Sequence, residues 1–184
     1  MHLDNNIVNK IKDFLSKYSL YEFVRELFCR QENWPELKKI GHFNVIKWLN
    51  SNVKEKWDTE VYELLVRENA LAHLIFLKDN GHQIDVSLAS FTEACKQGQL
   101  QMVEFLDGRA YKDSFAPMEA AAQNRHSKIV KFLYKCGYKC SSLVMEWAAY
   151  NNDFHLVEYL NDNNDDNVLV TKRTISFILE YIGI

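Results

Sequence analysis

Five nine-residue segments of this chain align with one another without gaps, and their even spacing narrows what the chain can fold into. They occupy residues 41–49, 69–77, 98–106, 125–133 and 152–160, and their closing leucines lie 28, 29, 27 and 27 residues apart. Each reads as an amphipathic helix. In the last one Phe154, Val157 and Leu160 fall at i, i+3 and i+6, and Leu156 and Tyr159 broaden the same apolar stripe. The segments open with Gly41, Asn69, Gly98, Arg125 and Asn152. Gly and Asn tolerate the left-handed backbone of a tight turn between helices, and Arg125 departs from that pattern. Four residues after the closing leucine come Gly81, Gly137 and Asn164, which suit a helix C-terminus. Val53 and the earlier Gly108 mark exits of a different shape.

Before each segment lies a shorter apolar stretch, such as the ones around Leu64-Leu65, Ala94-Cys95, Ala121-Ala122 and Ala148-Ala149. Thr59, Ser87, Ser114 and Ser142 stand where N-caps are expected. The pattern is therefore helix–turn–helix, repeated. Neither helix of a pair can bury its apolar face alone, so the pairs must stack as a solenoid. With only 6 Gly and 2 Pro in 184 residues, a turn-rich sheet protein is disfavoured and an all-α chain expected.

The last three pairs resemble the ankyrin-repeat family. Residues 116–126 (Ala-Pro-Met-Glu-Ala-Ala-Ala-Gln-Asn-Arg-His) are similar to the family's Thr-Pro-Leu-His-Leu-Ala-Ala-x-x-Gly-His, and residues 128–137 to its second helix with the terminal Gly. The resemblance spans residues 34–164. The period is shorter than the family's usual length of about 33 residues, which implies short loops in place of the β-turn fingers. The form Met145-Glu146-Trp147-Ala148-Ala149 resembles short repeats of large amoebal viruses and some protists. The implied architecture is an all-α, ankyrin-like solenoid of helical pairs with helical caps at both ends. Residues 1–33 form an N-terminal cap, 34–164 five pairs and 165–184 a C-terminal capping helix. The N-terminal helices, 5–16 and 20–29, faintly echo an F-box, so a substrate adaptor of a ubiquitin ligase is the alternative to a plain interaction module.

Little in the sequence points to catalysis. The chain carries no Gly-rich phosphate loop, Gly-x-Ser-x-Gly or His-Glu-x-x-His. Cys136-x3-Cys140 with His126 has the chemistry of a zinc site but no evident fourth ligand, and Asp162-x-Asn164-x-Asp166 departs from a calcium loop at Asn167 and Arg173. No enzyme activity, cofactor or metal is expected. The four cysteines read as reduced thiols, and the formal net charge is -3, so nucleic acid is not an expected partner. Within the basic run 125–139, Lys131 alternates with Glu104 and Glu158 at one segment position, which predicts a charge ladder on the outer surface. No run approaches a membrane span of ~20 apolar residues. A monomer in the cytoplasm, of a host cell if the origin is viral, is the expectation.

In ankyrin-like solenoids the partner, another protein, lies against the first helices and their preceding loops. Residues there that packing does not need are the binding candidates. They are Arg67, Glu68, Lys96, Gln97, Gln123, Asn124, Tyr150 and Asn151 at the first-helix ends, and Tyr111, Lys112 and Phe115 in a loop. Tyr and Arg are over-represented among interface hot spots.

Overall fold

The computed structural model describes residues 3–30, 34–53, 57–107, 111–163 and 170–182. Among them the regular structure is helical throughout, without strands. The chain divides into two compact units, Met1–Ser87 and Leu88–Ile184. The boundary therefore falls between the second and third expected pairs.

The first unit contains α1 (Asn5–Leu15), α2 (Leu20–Cys29), α3 (Pro35–Ile40), α4 (His42–Asn52), α5 (Thr59–Arg67) and α6 (Leu71–Asp79). Helix α2 starts where it does because Ser19 and Glu22 form a reciprocal capping box. Ile11, Phe23, Val24 and Leu27 bury the facing sides of α1 and α2. Phe23 meets Phe14 and Trp34 edge-on, at 5.6 and 5.3 Å between ring centroids. Helix α2 lies against α5 and α4 against α6. The N-terminal helices are thus built into the core of this unit.

The second unit contains α7 (Leu88–Lys96), α8 (Leu100–Leu106), α9 (Ala116–Gln123), α10 (Ser127–Lys135), α11 (Ser142–Tyr150), α12 (Phe154–Asp162) and α13 (Lys172–Ile182). First helices form a row in which α7 meets α9, α9 meets α11 and α11 meets α13. The first three also meet their own second helices, α7 with α8, α9 with α10 and α11 with α12. Helix α13, expected from sequence as an unpartnered cap, takes the place of the first helix of a further pair. Ala121, Ala122, Ala148 and Ala149 are at most 2% exposed, and their small size lets the row pack closely. The five closing leucines, Leu49, Leu77, Leu106, Leu133 and Leu160, are fully buried.

The turns repeat at backbone level. Gly41, Asn69, Gly98, Arg125 and Asn152 all have positive φ, so Arg125 adopts the left-handed form despite its side chain. In four of the five, the turn closes with the paired hydrogen bonds of a Schellman motif. Around Arg125 these run from the Arg125 N–H to Ala122 and from the His126 N–H to Ala121. Gly81 and Gly137 also have positive φ and close α6 and α10 in the same way. Val53 instead leaves α4 in an extended conformation. Gly108 and Asn164 lie outside the described residues, as does most of the acidic stretch 162–167.

Three N-caps differ from expectation by one residue. Phe115 stands at the N-cap of α9, and Ser114 before it accepts the Ala116 N–H at 3.2 Å. Asp58, not Thr59, caps α5 by accepting from the Val61 N–H at 3.1 Å, because the extended backbone of Asp58 places it at the entrance and Thr59 already lies in the first turn. Ser141, not Ser142, precedes α11, and its hydroxyl is turned to Glu119 of the previous pair. The expected charge ladder is also absent. Among the described residues no ion pair joins Glu104, Lys131 and Glu158, and the Lys131 ammonium lies 5.0 Å from the centre of the Tyr159 ring. The aromatic face offers a partner without desolvating a carboxylate.

Candidate functional site

The repeat allows each first-helix position in the second unit to be compared across pairs. Ala89, Glu93 and Lys96 of α7 correspond at steps of 27 residues to Ala116, Ala120 and Gln123 of α9, then to Leu143, Trp147 and Tyr150 of α11. Two pairs pack with small or polar residues there, so the bulk on α11 is not required by the row. Leu143 is 42% exposed and Tyr150 58% exposed. Exposed apolar side chains gathered in one place mark a contact surface better than scattered ones do.

Helix α13 supplies the opposite wall. Phe177 meets the Tyr150 ring edge-on at 5.5 Å, and Tyr150 meets Trp147 at 5.7 Å. Leu143, Glu146, Trp147, Tyr150, Arg173 and Phe177 line a groove of about 310 Å³. Its floor is polar and fully engaged. Glu146, nearly buried, accepts the Thr171 hydroxyl at 2.8 Å and pairs with the Arg173 guanidinium at 3.3 Å. This pairing ties α13 to α11, while the Arg173 side chain remains largely exposed at the rim. The groove thus combines aromatic walls, a rim cation and a rigid, hydrogen-bonded base. Such a surface suits an apolar or aromatic side chain flanked by a carboxylate.

The structure distributes the sequence-derived candidates differently. Tyr150 lies in the groove. Phe115 is 45% exposed before α9, and Gln123 and Asn124 are exposed at its end, with the Asn124 amide turned onto the Ala120 carbonyl. Lys96 and Gln97 both turn to Glu93, at 3.5 and 3.0 Å. Arg67 and Glu68 are exposed in the first unit, where Glu68 also accepts from the Cys29 thiol. Three candidates hold the fold together and so miss the criterion that selected them. Tyr111 is half-buried with its ring 5.3 Å from Phe91, which in turn stacks on Tyr138. The Lys112 ammonium donates to the Cys136 carbonyl at the end of α10, and the Lys112 carbonyl accepts the Lys139 N–H. The Asn151 amide donates to the Ala122 carbonyl and its oxygen accepts from Arg125, so it bridges the turns of two pairs. Sequence reasoning passed over Leu143, Trp147 and Phe177. The first two were visible as departures from the repeat, whereas Phe177 enters only through the docking of α13.

Burial pushes the Cys95 and Cys140 thiols up to about 12, so neither is a thiolate at neutral pH. Cys136 is also raised, by burial and then by the charge of Asp107. Among the described residues no group of three His, Cys, Asp or Glu side chains is placed to hold a metal, and no helix is long and apolar enough to cross a membrane. Of the two histidines that follow turn residues, His126 places its Nε2 2.9 Å from the Lys96 carbonyl, while His42 packs on Phe28. No protein-family model matches the chain, and neither curated proteins nor solved structures yield a match.

Proposed function

We propose that this chain is a non-enzymatic protein-interaction module of ankyrin-like build, and that the groove between α11 and α13 is its principal contact. The observation that carries this reading is Tyr150, an aromatic exposed to 58% and braced by Trp147 and Phe177 where the preceding pairs carry Lys96 and Gln123. A rigid aromatic presented this way gives a partner large contact area at little cost in conformational entropy. The repeated left-handed turns and the row of first helices support the ankyrin-like build.

The test is affinity purification from the native host with the full chain, a Leu143→Ala/Tyr150→Ala variant and a Lys128→Glu control, each checked by thermal melting. The wild type and the control should retain the same partner, and the groove variant should lose about 1–2 kcal/mol of affinity per side chain with an unchanged melt. Retention by the groove variant together with loss in the control would place the contact on the second-helix side.

A further inference from the structure

Helix α13 packs on α11 as a first helix does, and among the described residues no second helix follows it. Its register is set by its cap. Ser141, before α11, donates its hydroxyl to Glu119 of α9, and Thr171, before α13, donates its hydroxyl to Glu146 of α11. Thr171 therefore corresponds to Ser141, 30 residues earlier. On this register Ile175, Ile178 and Leu179 take the places of Met145, Ala148 and Ala149, and of Met118, Ala121 and Ala122 one pair before. Those six are at most 2% exposed. Ile175 is 48% and Leu179 39% exposed, and Ile178 is half-buried.

The same discontinuity appears on α12. Val103 and Val130 are fully buried at one segment position, whereas Val157, the third member of the series, is half-buried. A closing pair would carry polar residues at such places, yet all four side chains on α12 and α13 are apolar. Phe154, Val157, Val170, Thr174 and Ile178 line one open cleft of about 510 Å³ between α12 and α13. One pair earlier the equivalent ground is occupied by α12 itself. Asp153 accepts the Ser127 hydroxyl, Tyr159 covers Lys131 and the Asn163 carbonyl accepts the Tyr134 hydroxyl at 2.6 Å. The cleft continues an internal packing surface whose occupant, wherever it is filled, is a second helix.

We propose that this cleft docks one amphipathic helix of a partner protein, carrying the apolar spacing of α10 and α12 and a Lys or Arg opposite Glu158. The charge follows from the repeat. Lys131, seventh in its segment, meets Tyr159, eighth in the next, so the eighth residue of an incoming helix meets Glu158. Among the described residues Glu158 is the one formally charged side chain lining the cleft, and Asp162 lies one turn further along the same face. Laying an apolar helix face into a groove is an established mode of peptide recognition, and a single opposed charge sets its register.

The probe is a fluorescent peptide of residues 125–137, the α10 sequence with its opening turn and with Cys136→Ser, titrated against the full-length protein. Saturable binding is expected, weakened at least about tenfold by Val157→Ser and by Ile178→Ser, both of which should melt within a few degrees of wild type because neither site is fully buried. Tyr150→Ala should leave peptide binding unchanged, which separates this cleft from the α11–α13 groove. A peptide with Phe132→Lys should bind tighter than one with Phe132→Glu by about fivefold or more, a gap that narrows at high salt. Absence of saturable binding to wild type, or binding indifferent to both cleft substitutions, overturns the proposal. Sedimentation of the protein alone as a dimer that Ile178→Ser dissociates overturns it in favour of a second copy of this chain.

Discussion

The imidazole of His126 lies directly over the Cα of Gly98, close enough that a Cβ built on Gly98 would sit 2.5 Å from the ring carbon Cε1. Gly98 also has a φ of +76°, and the ring nitrogen meets the Lys96 carbonyl two residues before it. One histidine thus locks the turn of the preceding pair. Gly98→Ala should cost about 2 kcal/mol or more by urea denaturation, of which about 1–2 kcal/mol is the left-handed backbone. In a His126→Ala background the clash disappears and only the backbone share should remain. Equal costs in both backgrounds would show that the contact is not what excludes a side chain.

Acid should weaken the first unit through His73. Its ring nitrogens are buried without a hydrogen-bond partner among the described residues, between the rings of Phe28 and Phe43. Burial first, and then the charge of nearby His42, hold its pKa below the ordinary 6.5, and burial lowers His42 as well. The unfolded chain therefore takes up protons that the folded chain refuses. Stability should be constant above about pH 7 and fall progressively as the pH drops through 6.5 and below. Chemical denaturation between pH 7.5 and 5 should show this decline, and His73→Phe should make it shallower. An unchanged slope in the variant would exonerate His73.

Glu63, Glu119 and Glu146 each accept a hydrogen bond from the residue that stands before a first helix, namely from Ser87, Ser141 and Thr171. The third pair has Thr92 at this position, and its buried hydroxyl has no partner among the described residues. Glu119→Ala should cost about 1–3 kcal/mol, the usual loss for a partly buried, charge-assisted bond. Thr92→Val should raise stability by up to about 1 kcal/mol by removing the unsatisfied hydroxyl. A destabilised Thr92→Val protein would mean that the hydroxyl is solvated.

Lys131 should couple to Tyr159 rather than to its acidic neighbours. A double-mutant cycle of Lys131→Gln with Tyr159→Leu should return about 0.5–1 kcal/mol. Cycles of Lys131→Gln with Glu104→Gln or Glu158→Gln should return values near zero. The reverse result would restore the charge ladder that the repeat pattern predicts.

The helices, their turns and the five buried leucines were legible in the amino-acid sequence because each depends on local, periodic information. Apolar residues three and four apart choose a helix face, and the residue at each turn chooses the backbone. Even Arg125 obeys its position, since its neighbours impose the turn on it. What the chain does between pairs was not legible to the same degree. Thr59 lost its cap to Asp58 because the helix starts one residue earlier, with Asp58 extended at its entrance and Thr59 already in its first turn. Tyr111, Lys112 and Asn151 look free along the sequence, but the packed pairs bring Phe91, the Cys136 carbonyl and the Ala122 carbonyl to them. Of the groove, Tyr150 alone was foreseen. Leu143 and Trp147 stand out only when the pairs are superposed position by position, and Phe177 and Arg173 join them because α13 docks on α11 in the register set by Thr171 and Glu146. Local pattern decides where a helix lies along the chain. Contacts between helices depend on how far each is displaced along its neighbour, and only the tertiary structure decided that displacement.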